Sequence, residues 1–336
     1  MRFTPEILRK HAQVLVDKET KRNRKIQAAY LRGSLLYGSP LLGGAGDIDL
    51  VFIHNSPPVK DNQIIKLTPE IHFDIEHHDE SLYRTPRELR LDPWMGPTLR
   101  DAVPMYDPRH LLDYTQSGVR SNFDFPENIQ ARSKPLIEQA RQFWMDRQIT
   151  QPQDMITELP AFLSALHNAV NAVALLSGPP LPLRRLGILF SERATAVNAP
   201  GLGIAFNHLL GGVNLPQETL LDWMGSWEKS INSLKAQPAP LPLLVEREMY
   251  YKAAMKEVLK SASPTDALWP LLTTWTEMIS YLPEQTDLIL PWIKALTILG
   301  FAGNDYQVRL TALDGFLEIC ESLISGISAD SGQSSL

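Results

Sequence analysis

The chain has 336 residues, a formal net charge of −6, 44% hydrophobic and 21% charged residues and one cysteine, Cys320; it has length for two domains with buried cores, and its acidic balance argues against a broad nucleic-acid surface. A lone cysteine excludes an intrachain disulfide and suits a reducing compartment. The opening MRFTPEILRK lacks a signal peptide's apolar core, and the two most apolar stretches are interrupted, 288–302 by Pro291 and Lys294 and 159–176 by His167, Asn168 and Asn171, so a cytoplasmic protein with no membrane partner is expected.

Thr4-Pro5 reads as a helix start with proline in the first turn, and that helix should reach about Lys18. The basic run KETKRNRK that follows, Lys18 to Lys25, reads as a solvated helix end. Strands are predicted at 26–32, 47–53, 70–76 and 102–106, with a helix around 85–92. Beyond residue 125 the periodicity turns helical, predicting helices at 127–146, 155–176, 242–261, 265–281, 286–300 and 304–325. GPPLPLRR (178–185) and QPAPLPL (237–243) read as rigid connections, and the polar end of the chain as a disordered tail. The expected architecture is α+β: a mixed sheet with flanking helices over 1–120, an all-helical domain over 121–326, and a tail over 327–336.

The stretch AYLRGSLLYGSPLLGGAGDIDLVFIHNS (29–56) carries the chemistry. Side chains alternate along DIDLVFI, so Asp47 and Asp49 share a face, with Cα atoms about 6–7 Å apart. Ile48 and Leu50 take the opposite face and can pack against helices. Two ionised carboxylates side by side need a compensating cation. Mg²⁺ fits, since it prefers oxygen ligands and keeps positions for water and phosphate, with Mn²⁺ as the alternative.

Upstream, Gly33 lets a phosphate approach the backbone, and Ser34 with the first free N–H groups could bind it. In EIHFDIEHH, Ile71, Phe73 and Ile75 face one way and His72, Asp74 and Glu76 the other. If this strand lies beside 47–53, Asp74 or Glu76 completes an acidic cluster; Asp74 is favoured by its central place in the strand, and Glu76 is otherwise a solvated strand-end residue or a general base. Two divalent ions about 3.5–4 Å apart could then serve phosphoryl transfer. His72, His77 and His78 lack a fitting cysteine set for zinc and read as surface residues near an acidic site. His167 reads as a core or interdomain residue, and the tryptophans of the helical half as core.

Gly33-Ser34, then Asp47-Ile48-Asp49, then Asp74 between Phe73 and Ile75 resembles the polymerase-β-type nucleotidyltransferase superfamily over about residues 26–80, and LRDAVPMYDP is similar to that family's last core strand. The helical half is similar in layout to small-molecule and antibiotic nucleotidyltransferases. Many small members carry Arg-Gly where this chain has Tyr37-Gly38, and often serine where it has Gly46. The resemblance implies transfer of a nucleoside monophosphate, AMP from ATP in the first instance, to a hydroxyl of a small molecule with release of pyrophosphate. It implies that Asp47 and Asp49 hold two ions, that Asp74 ligates the one nearer the attacking oxygen, and that Gly33 and Ser34 receive the triphosphate. Arg184 or Arg185 would reach that triphosphate from the second domain, and the acceptor would lie between the domains, near helix 155–176; the competing reading makes the arginines a solvated loop pair. Two other function classes remain: a nucleotidyltransferase acting on a protein or an RNA end, and a non-catalytic nucleotide-binding protein, against which the full set of carboxylates argues.

Overall fold

The computed structural model describes residues 3–38, 40–150, 154–236, 243–282 and 286–333. The chain forms two compact units, Met1–Asn128 with Lys252–Ala254, and Ile129–Tyr251 with Met255–Leu336.

The first unit is built on a five-stranded sheet. Helix α1 (Pro5–Arg22) begins where Thr4 accepts a hydrogen bond from the Ile7 N–H at 3.4 Å, with Pro5 in the first turn. Strands β1 (Ile26–Arg32), β2 (Gly46–His54), β3 (Asn62–Lys66), β4 (Ile71–Asp79) and β5 (Val103–Tyr106) lie in the order β3-β4-β2-β1-β5. β2 and β4 are parallel while the other pairings are antiparallel, so the sheet is mixed. The expected neighbours 26–32, 47–53 and 70–76 are adjacent. β3 is an addition: NQIIK is a short edge strand whose pattern is too brief to announce itself.

Alternation divides the sheet into two faces. Ala29, Leu31, Ile48, Leu50, Phe52, Ile71, Phe73 and Ile75 pack with Leu8, Ala12 and Val16 of α1. On the other face Ala28, Tyr30, Val51 and Ile53 pack with Tyr83, Leu99, Leu112, Val119 and Phe123. That second layer comes from the 3₁₀ turn Glu80–Tyr83, α3 (Met95–Asp101) and α4 (Leu111–Arg120) with the turn after it, and α2 (Pro86–Leu91) adds the partly buried Leu89. Buried Phe123 belongs to this core, which is why the first unit extends past residue 120 to Asn128.

The second unit is built from α5 (Pro126–Ile149), which starts in the first unit, α6 (Met155–Ala174), α7 (Leu186–Ala196), α8 (Gly201–Leu210), α9 (Gln217–Lys235), α10 (Leu243–Glu246), α11 (Glu248–Val258), whose Lys252–Ala254 group with the first unit, α12 (Leu268–Ser280), α13 (Thr286–Ile298) and α14 (Asn304–Gln333). Most of its tryptophans are core, as expected: Trp227, Trp269, Trp275 and Trp292 are each 1% exposed or less and Trp223 is buried, whereas Trp144 is half-buried. Three place the indole N–H on a hydroxyl: Trp227 on Thr274 Oγ1 at 2.8 Å, Trp275 on Ser230 Oγ at 3.2 Å and Trp292 on Thr276 Oγ1 at 3.1 Å. Helices α7, α8 and α9 lie in a stretch where no helix is expected from sequence. The helix expected at 242–261 is broken at Arg247, which caps α11. The connection GPPLPLRR ends in a 3₁₀ turn, Leu183–Arg185, while residues 237–242 of the second proline-rich stretch lie outside the described residues. Helix α14 continues through Gln333, so residues 327–333, expected as tail, are helical. No described helix is long and apolar enough to cross a membrane.

Candidate metal centre

Register places the carboxylates. β1, β2 and β4 lie side by side, and Arg32, Asp49 and Asp74 form one row across them, with Asp47 opposite His72 in the next row. Residues in register point to the same face, so these side chains converge where β1 ends and β2 and β4 begin. Asp47, Asp49 and Asp74 each offer a carboxylate oxygen, and these atoms lie within 4.8 Å of one another. Asp47 is 7% exposed, and the other two are half-buried. An all-carboxylate donor set is what a hard divalent cation takes, with no nitrogen or sulfur ligand to favour zinc. The cluster could hold such an ion.

The Gly33-Ser34 turn closes one side. It is a single 3₁₀ turn, Gly33–Leu36, directly after β1. Gly33 has φ of +77°, and a Cβ there would overlap Asp49 Oδ2 and stand 2.6 Å from Asp49 Cγ. Only glycine lets the turn press against the carboxylate in this conformation. Ser34 Oγ is buried and has no hydrogen-bond partner among the described residues, an unmet polar group beside the acidic cluster. Tyr37 follows, its ring 55% exposed and its hydroxyl donating to Asp101 Oδ2 at 2.5 Å. Arg100 in turn grips Asp101 with Nε at 2.7 Å and Nη2 at 2.8 Å.

Glu76 lies one row further into the sheet, opposite Val51, and outside the cluster. Its Oε1 accepts from Arg32 Nη2, and its Oε2 from His78 Nε2 at 3.2 Å. His78 Nδ1 meets the Tyr83 hydroxyl at 2.6 Å, and Tyr83 meets the Tyr30 hydroxyl at 3.1 Å. With the His78 proton on Nε2, the chain runs in one direction: Tyr30 donates to Tyr83, Tyr83 to His78 and His78 to Glu76. Burial works to raise the Glu76 carboxyl, but His78 and Arg32 outweigh it and hold it below its usual value. Burial likewise opposes the Arg32 charge, yet Asp49, Glu76, Tyr30 and Asp74 together raise its pKa. Buried Tyr30 is pushed up to about 12. The site face therefore carries a fixed cation and a hydrogen-bonded relay that residue types alone do not announce; the signal was the parity of Tyr30 with Arg32 and of Glu76 with His78.

The histidines differ from the surface placement expected. His72 is 4% exposed. His77 shares a 2.9 Å contact with His54 and lies stacked on Phe52 on the opposite face; burial, with His54, Lys60 and His78, lowers it to about 4. Arg184 and Arg185 belong to the helical unit. Arg184 is 3% exposed, its guanidinium 3.6 Å from the Tyr250 ring centroid and its Nη1 3.5 Å from the Tyr250 carbonyl. That excludes the solvated loop pair for Arg184, while Arg185 is half-buried. His167 stacks on Trp269 with ring centroids 6.1 Å apart, and burial lowers it to about 4, as suits a core histidine. Comparison with protein-family models finds no match, and comparison with curated proteins finds none either.

Proposed function

We propose that the first unit is a nucleotidyltransferase catalytic domain, moving a nucleoside monophosphate, AMP from ATP in the first instance, onto a hydroxyl of a small molecule and releasing pyrophosphate. The observation that carries this reading is the convergence of Asp47, Asp49 and Asp74 within 4.8 Å against the Gly33 turn. Asp47, Asp49 and Asp74 would hold Mg²⁺ or Mn²⁺, which supplies charge neutralisation at the phosphate and activation of the acceptor hydroxyl. Ser34 Oγ, buried and without a hydrogen-bond partner among the described residues, would donate to a phosphate oxygen, and Gly33, lacking a Cβ, would let that phosphate approach the backbone. Tyr37 presents an exposed ring at the end of the same turn.

The test is pyrophosphate release from a panel of nucleoside triphosphates with Mg²⁺ or Mn²⁺ and with small-molecule, protein and RNA acceptors. Asp49→Asn keeps the volume and removes the charge, and should lower release by at least about 10²-fold without loss of the folded state. Undiminished release by that variant overturns the reading. Transfer to protein or RNA alone would replace the small-molecule acceptor while leaving the chemistry in place.

A further inference from the structure

The turn that carries Gly33 and Ser34 ends on Tyr37, whose N–H donates to the Ser34 carbonyl at 3.2 Å. That closure brings the two Cα atoms within about 7 Å of each other. A single exposed aromatic residue means little. This one is exposed and fixed at once. Its ring is 55% exposed, while its hydroxyl donates to Asp101 Oδ2 at 2.5 Å. Arg100 grips both oxygens of Asp101, with Nε 2.7 Å from Oδ1 and Nη2 2.8 Å from Oδ2. Burial works to raise the Asp101 carboxyl, but Arg100 and Tyr37 hold it below its usual value, so the tether is charge-assisted. The Arg100 guanidinium lies 4.8 Å from the centroid of the buried Phe123 ring, and the Arg100 carbonyl accepts from Arg120 Nε at 2.9 Å. The anchor of Tyr37 therefore reaches the apolar core on the second face of the sheet. Beyond the ring the backbone is open: at Gly38, with φ +98°, no described residue stands within 4 Å of an added Cβ.

A tyrosine whose task was only to tie the turn to α3 would gain by burying its ring, as Tyr30 and Tyr83 do in the same unit. Tyr37 keeps its ring largely in solvent and fastens the hydroxyl. A ring held this way is ordered before a ligand arrives, so stacking on it costs little side-chain entropy. We propose that Tyr37 is a stacking platform for the base of the nucleoside triphosphate, with Asp101 and Arg100 positioning its ring. The inference rests on the nucleotide reading of this site. Gly33 and Ser34 would receive the phosphates at the start of the turn, and Tyr37 the base at its end. Stacking uses the π-face that every base has, so the platform favours a nucleotide over bare phosphate without choosing strongly among bases.

The experiment is calorimetric titration of the full chain, with Mg²⁺ and no acceptor, against two ligands: ATP, and inorganic tripolyphosphate, which has the phosphates and no base. Tyr37→Leu removes the aromatic face and should weaken ATP binding about tenfold, while changing tripolyphosphate binding by less than about twofold. Tyr37→Phe keeps the face and loses the tether, so ATP binding should weaken by no more than about threefold. Equal losses for the two ligands in Tyr37→Leu would show that the residue shapes the phosphate end, and would overturn the proposal. ATP binding unchanged in Tyr37→Leu overturns it as well, as does a loss in Tyr37→Phe equal to that in Tyr37→Leu, which would assign the effect to the hydroxyl. Should Tyr37→Leu not fold, Tyr37→Gln takes its place, with the same split expected. If the wild type binds ATP and no tripolyphosphate, the contrast of Leu with Phe on ATP decides; if it binds tripolyphosphate and no ATP, the platform is refuted. A wild type that binds neither overturns the nucleotide reading and this inference with it, whereas binding of both ligands with no split in the Tyr37 variants overturns this inference alone.

Discussion

Gly33→Ala is the sharpest probe of how the turn and the carboxylates fit together. Gly33 sits at φ +77°, and an added Cβ would overlap Asp49 Oδ2 and lie 3.1 Å from Asp49 Cβ. The backbone conformation alone costs a non-glycine residue about 1–2 kcal/mol. Relieving the overlap turns the Asp49 carboxylate out of its rotamer, at about 0.5–1.5 kcal/mol more. Together they predict a loss of about 2–3 kcal/mol and a fall in Tm of about 5–10 °C, read by calorimetry. Turning Asp49 also breaks the 4.8 Å cluster, so Mn²⁺ affinity should fall about tenfold or more. Gly44→Ala is the control: φ there is +81° and nothing lies within 4 Å of the added Cβ. It carries the backbone cost of about 1–2 kcal/mol without the overlap, and should leave Mn²⁺ affinity unchanged. A Gly33→Ala protein that binds Mn²⁺ as tightly as Gly44→Ala refutes the argument.

Ser34→Ala removes a buried hydroxyl with no partner among the described residues, so the free protein should keep its stability or gain slightly, while nucleotide affinity in a calorimetric titration falls by about 1–2 kcal/mol, roughly tenfold; a large loss of stability would show that Ser34 is structural. His167, lowered to about 4 by burial, has a folded pKa beneath its unfolded one, so it contributes stability present above about pH 6.5 and lost as pH falls through 4, about 3 kcal/mol in all. Asp266 is pushed up to about 6 by burial and works in the opposite sense, so the measurement compares variants: His167→Phe keeps the stack on Trp269 and should flatten the loss of stability between pH 6.5 and 4 in urea unfolding. Arg309 donates to the carbonyls of His208, Leu209, Leu299 and Gly300, capping the ends of α8 and α13; Arg309→Met should cost about 2–3 kcal/mol in the same assay, and a smaller cost than 1 kcal/mol would show that water replaces it.

What the sequence made legible follows from period. Strict alternation in DIDLVFI and EIHFDIEHH gave the strands, their apolar faces and the common face of the carboxylates. Helix α1 was announced by Thr4-Pro5. The helices between 186 and 235 were obscured by punctuation: Gly201 and Gly203 in α8 and Gly225 in α9 sit inside periodic apolar patterns and read as breaks. In α9 the pattern Leu220, Trp223, Met224, Trp227, Ile231, Leu234 is nonetheless a helical stripe, and all six are buried. The polar end of α14 carries no apolar period beyond Ile327, so helix and tail look alike there.

The choice between Asp74 and Glu76 shows where period stops informing. A slip of one residue between β2 and β4 would turn Phe73 and Ile75 to the wrong face, and burial forbids it. A slip of two preserves both faces: Glu76 would then stand opposite Asp49, and Asp74 opposite Asp47. Alternation is blind to that difference. In the structure Ile71 stands opposite Gly46 and Asp74 opposite Asp49, and β3 returns antiparallel along the outer edge of β4, Lys66 opposite His72. The connection from β3 to β4 is a tight one, with the Leu67 and Thr68 N–H groups both donating to the Ile71 carbonyl at 2.9 Å and the Thr68 hydroxyl accepting from the Ile71 N–H at 3.1 Å. That turn fixes where β4 begins. Register then decides chemistry: the same two carboxylates, one row apart, become a member of the acidic cluster and an anchor for Arg32. Shortening the 67–70 turn by two residues tests this directly, since a β4 that then starts two residues later would bring Glu76 beside Asp49 and Asp74 beside Asp47. Mn²⁺ binding in that shortened variant should then fall more on Glu76→Gln than on Asp74→Asn; a larger fall on Asp74→Asn would show that packing of Phe73 and Ile75, rather than the turn, holds the register.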